Sequence, residues 1–273
     1  MIRVESLKYQ YEDGTQALTN INLDLERGNI VGLVGANGSG KSTLLLSIMG
    51  ILKPTSGQII YKGKPIKYQK KFLREYRSKV NMVFQDPDRQ LFFSRVYDDV
   101  AFSLRNLNFS EVEVSERVEK ALRRVGAYDL IQKPIHFLSY GEKKRVTIAG
   151  ALVMDLDALL LDEPTSGLDP YMTREIKNII KSLSMEKKIL LSSHDMDLIY
   201  ELCDYVYVLG KGRILDQGLP EEVFLKKDLL KRASLERPWL VKLYQELGLP
   251  LCKNERQLFQ WRGENYEKRY YSG

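Results

Sequence analysis

The chain has 273 residues, of which 44% are hydrophobic, enough to bury one large domain or a core with appendages. Its net charge of +6 and pI near 9.0 permit an acidic partner, nucleic acid or lipid headgroups, but the bases are interspersed with acids along the chain, as on a solvated surface. No apolar run reaches the roughly 18 residues of a membrane-spanning helix, the start Met1-Ile-Arg-Val-Glu-Ser is too charged for a secretory leader, and Cys203 and Cys252 have neither metal-ligand nor disulfide-scaffold spacing. This composition suits the cytosol.

Up to Leu25 the chain reads as β-structure: Arg3 to Tyr9 alternates, Asp13-Gly14 signals a hairpin turn, and Ala17 to Leu25 alternates again. Ile30 to Val34 is a buried strand, and Lys41 to Met49 a helix stopped by Gly50. Gln58 to Tyr61, before Gly63, reads as a short strand; Val80 to Phe84 reads as a buried one leading into Gln85. From about residue 88 to 150 the period changes. Ser110 is cap-like with acids behind it, Val112 to Val125 has helical spacing, and Gly126 is a stop. Ala158 to Leu161 and Ile189 to Leu191 are continuous apolar runs, as parallel strands buried on both faces should be, with a helix between them from Tyr171 to Leu183. Tyr205 to Leu209, Gly210-Lys-Gly212 and Arg213 to Asp216 form a late hairpin. Pro220 opens a helix with acids in its first turn, and beyond residue 226 the chain is charged, rich in Leu and Tyr, and helical. The pattern predicts an α/β nucleotide-binding core with a helical insertion and a C-terminal appendage.

Four strand ends carry polar chemistry. After the first buried strand comes Gly35-Ala36-Asn37-Gly38-Ser39-Gly40-Lys41-Ser42, followed by Thr43, the spacing of a Walker A loop. Its glycines let backbone N–H groups approach a polyphosphate. Lys41 can reach the β- and γ-phosphates, Ser42 can ligate Mg²⁺, and the helix N-terminus adds its dipole. The competing reading is a Gly-rich turn without a ligand. Leu159-Leu-Leu-Asp162-Glu163 ends another strand in two acids: Asp162 can hold Mg²⁺ and Glu163 can polarise an attacking water. Gln85 and His194 end two more, and ligands of parallel sheets bind beyond the carboxyl ends of the strands.

Leu138-Ser139-Tyr140-Gly141-Glu142 read alone is a Ser-capped helix start. In order with Walker A, Gln85, Asp162-Glu163, Ser166-Gly-Leu-Asp169 and His194, it resembles the signature motif of ATP-binding-cassette (ABC) ATPases. The resemblance covers roughly residues 1–225. It departs from the pattern at Tyr140, where the family has Gly, and at Glu142, where it has Gln. It implies a P-loop NTPase core with an N-terminal antiparallel β region, a helical subdomain at about 88–152 and a C-terminal extension, 226–273. It further implies that two subunits sandwich two ATP molecules head to tail. Ser139, Gly141 and Glu142 would then face the nucleotide held by the partner's P-loop. Glu163 would be the general base, His194 would brace the γ-phosphate and water, and Asp169 would link the two sites. Gln85 would sense Mg²⁺ and couple to a membrane partner, and Tyr11 would stack on adenine, with Tyr9 as a rival.

Val83-Phe-Gln-Asp-Pro-Asp-Arg-Gln-Leu-Phe92, Val100-Ala-Phe102, Ser193 to Leu198 and Gly218 to Phe224 resemble the cobalt/nickel and energy-coupling-factor importers. Leu235 to Pro250 resembles their C-terminal extension, which helps the ATPases dimerise; a solvated helix pair is the plainer reading. That branch implies a peripheral subunit at the cytoplasmic face of the membrane, bound to a second ATPase, homo- or heteromeric. An integral coupling protein and a substrate-capture component for Co²⁺, Ni²⁺ or a vitamin complete it. Nucleic acid is not expected as a partner. Two other readings stand beside this one: a soluble ABC-type ATPase acting on nucleic acid or ribosomes, and a non-catalytic partner in an ATPase heterodimer. His136 reads as structural, and the stretch from Arg262 to Gly273 has no functional reading.

Overall fold

Strands apolar on both faces belong between two layers, and the computed structural model, which describes residues 1–262, puts them there. β1 (Ile2–Gln10) and β2 (Gln16–Asp24) pair antiparallel across the Asp13-Gly14 turn. β3 (Ile30–Val34) leads into the Gly-rich loop and α1 (Lys41–Ile48). β4 (Ser56–Tyr61) and the short β5 (Lys64–Pro65) extend the antiparallel sheet, giving the order β2-β1-β4-β5. After α2 (Lys70–Arg77) comes β6 (Val80–Val83), then the helical region, α3 (Val96–Asn106), α4 (Glu111–Arg124) and α5 (Tyr140–Leu152). The chain returns through β7 (Ala158–Asp162), α6 (Pro170–Ser184), β8 (Lys188–Ser193) and α7 (Met196–Leu202) to the hairpin of β9 (Tyr205–Gly210) and β10 (Arg213–Gly218). α8 (Pro220–Val223), α9 (Lys227–Ala233) and α10 (Trp239–Leu247) follow. The main sheet has the order β10-β9-β3-β8-β7-β6 and is parallel except for β10.

Alternate residues of the central strands enter two hydrophobic clusters. Leu159, Leu161, Ile189 and Leu191 pack with α3 to α10, whereas Leu160, Leu190, Val31 and Leu33 pack with α1 and the antiparallel sheet. α4 starts as expected: the Ser110 side chain accepts from Glu113 N while Glu113 reaches back to the Ser110 N–H, a capping box. Its buried stripe is Val114, Val118, Ala121 and Leu122, and Val112 points outward at 71% exposed. The charged α2, with Tyr76 as its one buried residue, was not among the predicted elements, although Phe72, Leu73 and Tyr76 fall on one helical face. Leu229, Leu230, Leu240 and Val241 of the C-terminal helices are buried in the same cluster as β7 and β8, so α9 and α10 are not a solvated pair. No described helix is long and apolar enough to cross a membrane.

Gly32 sits mid-strand in β3 because α7 packs directly on it. A Cβ there would lie 3.0 Å from Cys203 Sγ and 3.1 Å from Ile199 Cγ2. Gly32→Val should therefore lower stability by about 1–3 kcal/mol through overpacking. This would be read as a lower urea midpoint at unchanged slope.

Candidate functional site

The parallel register sets the site. Val34 of β3 lies beside Ser193 of β8, Asp162 of β7 beside Ser192, and Val83 of β6 beside Leu161. The loops leaving these strands therefore open onto one edge, where a cavity of about 520 Å³ lies. Tyr11, Asn37 to Thr43, Gln85, Asp162, Glu163 and His194 all line it. Gly35 and Ala36 lie behind it, their carbonyls accepting from Lys41 Nζ at 2.7 and 3.3 Å.

Gly40 starts α1 with φ 104°, and a Cβ there would lie 2.9 Å from the Ala17 carbonyl oxygen, so only glycine fits. Burial lowers the Lys41 pKa, opposed by Glu163 and Asp162. Burial likewise raises the Asp162 pKa, and the Ser42 hydroxyl, donating to Asp162 Oδ2 at 3.0 Å, works against that rise. The Ser39 hydroxyl is buried in the loop without a protein partner. These groups suit a triphosphate with Mg²⁺: a loop of N–H groups, an ammonium, an unspent hydroxyl, and one carboxylate beside one serine for an ion that keeps several waters.

Glu163 is 6% exposed and has φ 48°, the left-handed region. Its N–H donates to the Ser192 carbonyl at 2.9 Å. Its Oε2 accepts from Ser193 Oγ at 3.1 Å and lies 2.8 Å from His194 Nδ1. A carboxylate held between a hydroxyl and an imidazole at the mouth of a phosphate pocket can orient a water and take its proton. Tyr11 lines the cavity with its hydroxyl 2.9 Å from Thr43 Oγ1, whereas Tyr9 packs edge-on against it and does not line the cavity.

Ser139, Gly141, Glu142 and Asp169 do not line this cavity. Ser139 caps α5, accepting from Glu142 N at 3.3 Å, while Glu142 Oε2 accepts from Ser139 N at 2.7 Å. The glutamate at the unusual position thus completes a capping box. Asp169 caps α6 by accepting from Met172 N at 2.8 Å. Sequence reasoning missed Thr15, Gln16, Ala17, Lys211 and Gly212, which form one wall of the cavity. The turn signals at Asp13-Gly14 and Gly210-Lys-Gly212 marked those loops. Their docking on the phosphate loop, through Gly212 N to Ser39 O at 3.0 Å and Thr19 N to Gly212 O at 2.7 Å, is tertiary. A larger groove, about 900 Å³ between α6, α7 and the C-terminal segment, holds none of the predicted site residues.

A phosphate loop after β3, two acids at the end of β7 with β8 between these strands, and a capped helix turned away from them define a P-loop ATPase whose signature segment lies outside its own site. A family model described as ABC transporter matches residues 18–166. The cobalt import ATP-binding protein CbiO of Salmonella paratyphi A is 47% identical over 260 residues, covering 95% of this chain and 96% of its own length. The energy-coupling factor transporter ATP-binding protein EcfA2 of Clostridium perfringens is 41% identical over 277 residues, covering 97% of each. The solved structure of cbiO1 from Clostridium perfringens, described as part of the ABC transporter complex cbiONQ, is 44% identical with a TM-score of 0.77, covering 89% of this chain and 98% of that one. The chain belongs to the ABC transporter family, as an ATP-binding, ATP-hydrolysing subunit.

Asp162 is a carboxylate kept out of water, 6% exposed. Asp162→Asn should raise the thermal midpoint of the nucleotide-free protein and shrink the further rise produced by Mg²⁺ and ATP. An unchanged midpoint without nucleotide would show that its burial carries no cost.

Proposed function

We propose that this chain is one of two ATPase subunits that drive a membrane importer of the cobalt or energy-coupling-factor type from its cytoplasmic face. The observation that carries the reading is the split constellation: the Gly-rich loop, Asp162, Glu163 and His194 on one edge, with Ser139 and Gly141 on a helix end outside it. Such a site is completed by a second subunit, whose signature helix would contact the γ-phosphate. Asn37 to Thr43 would hold the triphosphate, with Lys41 on the β- and γ-phosphates and Tyr11 against adenine. Ser42, Asp162 and Gln85 would hold Mg²⁺, which neutralises phosphate charge. Glu163 would take the proton of the attacking water, with His194 bracing the γ-phosphate. ATP binds the closed pair better than the open one, so binding and hydrolysis shift the population between them.

Two exposed apolar surfaces suit the partners. Phe92, 64% exposed, and Phe93, 38% exposed, cluster with Phe102 at ring separations of 4.8 and 5.5 Å, next to the loop that follows Gln85. This patch would take a segment of the membrane coupling protein, which in turn carries the substrate-capture component. In the C-terminal extension, residues 226–273, Leu247 at 66% and Phe259 at 61% exposed would face the second ATPase. Residues 263–273 of that extension lie outside the described residues.

Glu163→Gln should retain ATP binding and lose hydrolysis by about 10²–10⁴-fold, measured as phosphate release and nucleotide binding on the same preparation. Near-native turnover would remove Glu163 from its role. Phe92→Asp combined with Phe102→Asp should abolish co-purification with an integral membrane protein from detergent extracts. If even the native chain brings down ribosomes or RNA and no membrane component, the transport reading fails.

A further inference from the structure

Lys144 is a lysine with 0% exposure, four residues after Tyr140 on α5. A buried ammonium is costly unless its protons are used, and a methionine would fill the same space without that cost. Its protons are used on two backbone carbonyls from different strand ends. Nζ donates to the Gln85 oxygen and, at 3.3 Å, to the Glu163 oxygen. Tyr140, one turn earlier, donates its hydroxyl to the same Gln85 oxygen at 3.3 Å, and its ring lies 5.7 Å from Nζ. The ring also closes on Gly167, where an added Cβ would come within 3.1 Å of Tyr140 Cε1. The residue that departs from the family's glycine is therefore an anchor between α5, the Gln85 loop and the segment leading to Asp169.

Glu163 gives these contacts their consequence. A non-glycine residue at positive φ persists only where its surroundings over-determine it. Its N–H is held by Ser192 and its carbonyl by Lys144. The carboxylate's aim toward the cavity is thus set partly from the first turns of α5, whose N-terminus carries Ser139.

We propose that Lys144, assisted by Tyr140, is a positioning residue that sets the backbones of Gln85 and Glu163 from the signature helix. The helix whose N-terminus addresses the partner's nucleotide thereby adjusts this subunit's own hydrolytic groups, and each ATP site reports on the other. The proposal rests on the reading that Ser139 faces the partner's nucleotide.

The test uses the purified transporter complex carrying Lys144→Met, Lys144→Gln, Tyr140→Phe or Ser139→Ala, with kcat and the Kd for ATP measured on each. Lys144→Met should lower kcat by about 10–100-fold, as expected for a misplaced reacting group, and change Kd by less than about threefold. Lys144→Gln, which keeps an N–H donor without the charge, should recover most of the lost rate. Tyr140→Phe should cost a few-fold in kcat, and adding it to Lys144→Met should cost little more, because both act on one carbonyl. The proposal is overturned if Lys144→Met keeps kcat within about twofold of native, if Gln and Met are equally impaired, or if kcat falls only in step with nucleotide binding. Ser139→Ala separates the two layers. Full turnover there sinks the partner-site reading, and loss of turnover there with an active Lys144→Met sinks the positioning role alone.

Discussion

One ammonium and two carboxylates share a space nearly closed to water: Lys41 is 7% exposed, Asp162 6% and Glu163 6%. Charges so placed must be tied down, because the desolvation they suffer is repaid only by partners in good geometry. Each of the three is tied. Lys41 is folded onto its own loop carbonyls, Asp162 accepts a hydrogen bond from the Ser42 hydroxyl, and Glu163 accepts one from the Ser193 hydroxyl. None of these ties is local in sequence except that of Lys41, so the site exists only where β3, β7 and β8 stand in register. A slip of one residue between these strands would turn every inward side chain to the other face and scatter the three charges.

The same dependence explains why the two layers around the sheet matter to chemistry. Each central strand divides its side chains between two hydrophobic clusters, so neither layer can shift without disturbing the other. α1 and the antiparallel sheet hold the phosphate loop from one side. The helical layer holds Gln85 and Glu163 from the other, by way of α5. The cavity sits at the seam, walled by turns of both sheets. Motion of one layer relative to the other would change the distance between the Gly-rich loop and Glu163.

Much of this was legible from the chain alone, for a reason that also marks its limit. The Walker A loop, the Asp162-Glu163 strand end and the capped start of α5 are local patterns, each compressed into a few residues whose spacing the backbone enforces. Buried strands announced themselves because Leu159 to Leu161 and Ile189 to Leu191 have no polar alternation. Which of Tyr11 and Tyr9 reaches the cavity was open, since both stand at the end of one strand; the turn that follows Gln10 carries Tyr11 to Thr43 and into the cavity wall. The wall made by Ala17 and Gly212, the hydroxyl of Ser193 behind Glu163, and the reach of Lys144 across the sheet join residues distant in sequence, and no periodicity records them. α2 was missed because seven of its eight residues are not buried. The docking of the C-terminal helices on the core was not legible, because charged residues outnumber the few leucines that pin them there.

The left-handed backbone at residue 163 has an evolutionary side. Glycine or asparagine would occupy φ 48° with less strain than glutamate, and either would relieve a buried carboxylate of its desolvation. Random drift judged by folding alone would therefore not preserve Glu163. In a pair of ATPases, where one competent site can suffice, a copy without it would be a stable end point. Glutamate at this position carries a backbone and desolvation cost that Ser192, Ser193 and Lys144 offset by their contacts.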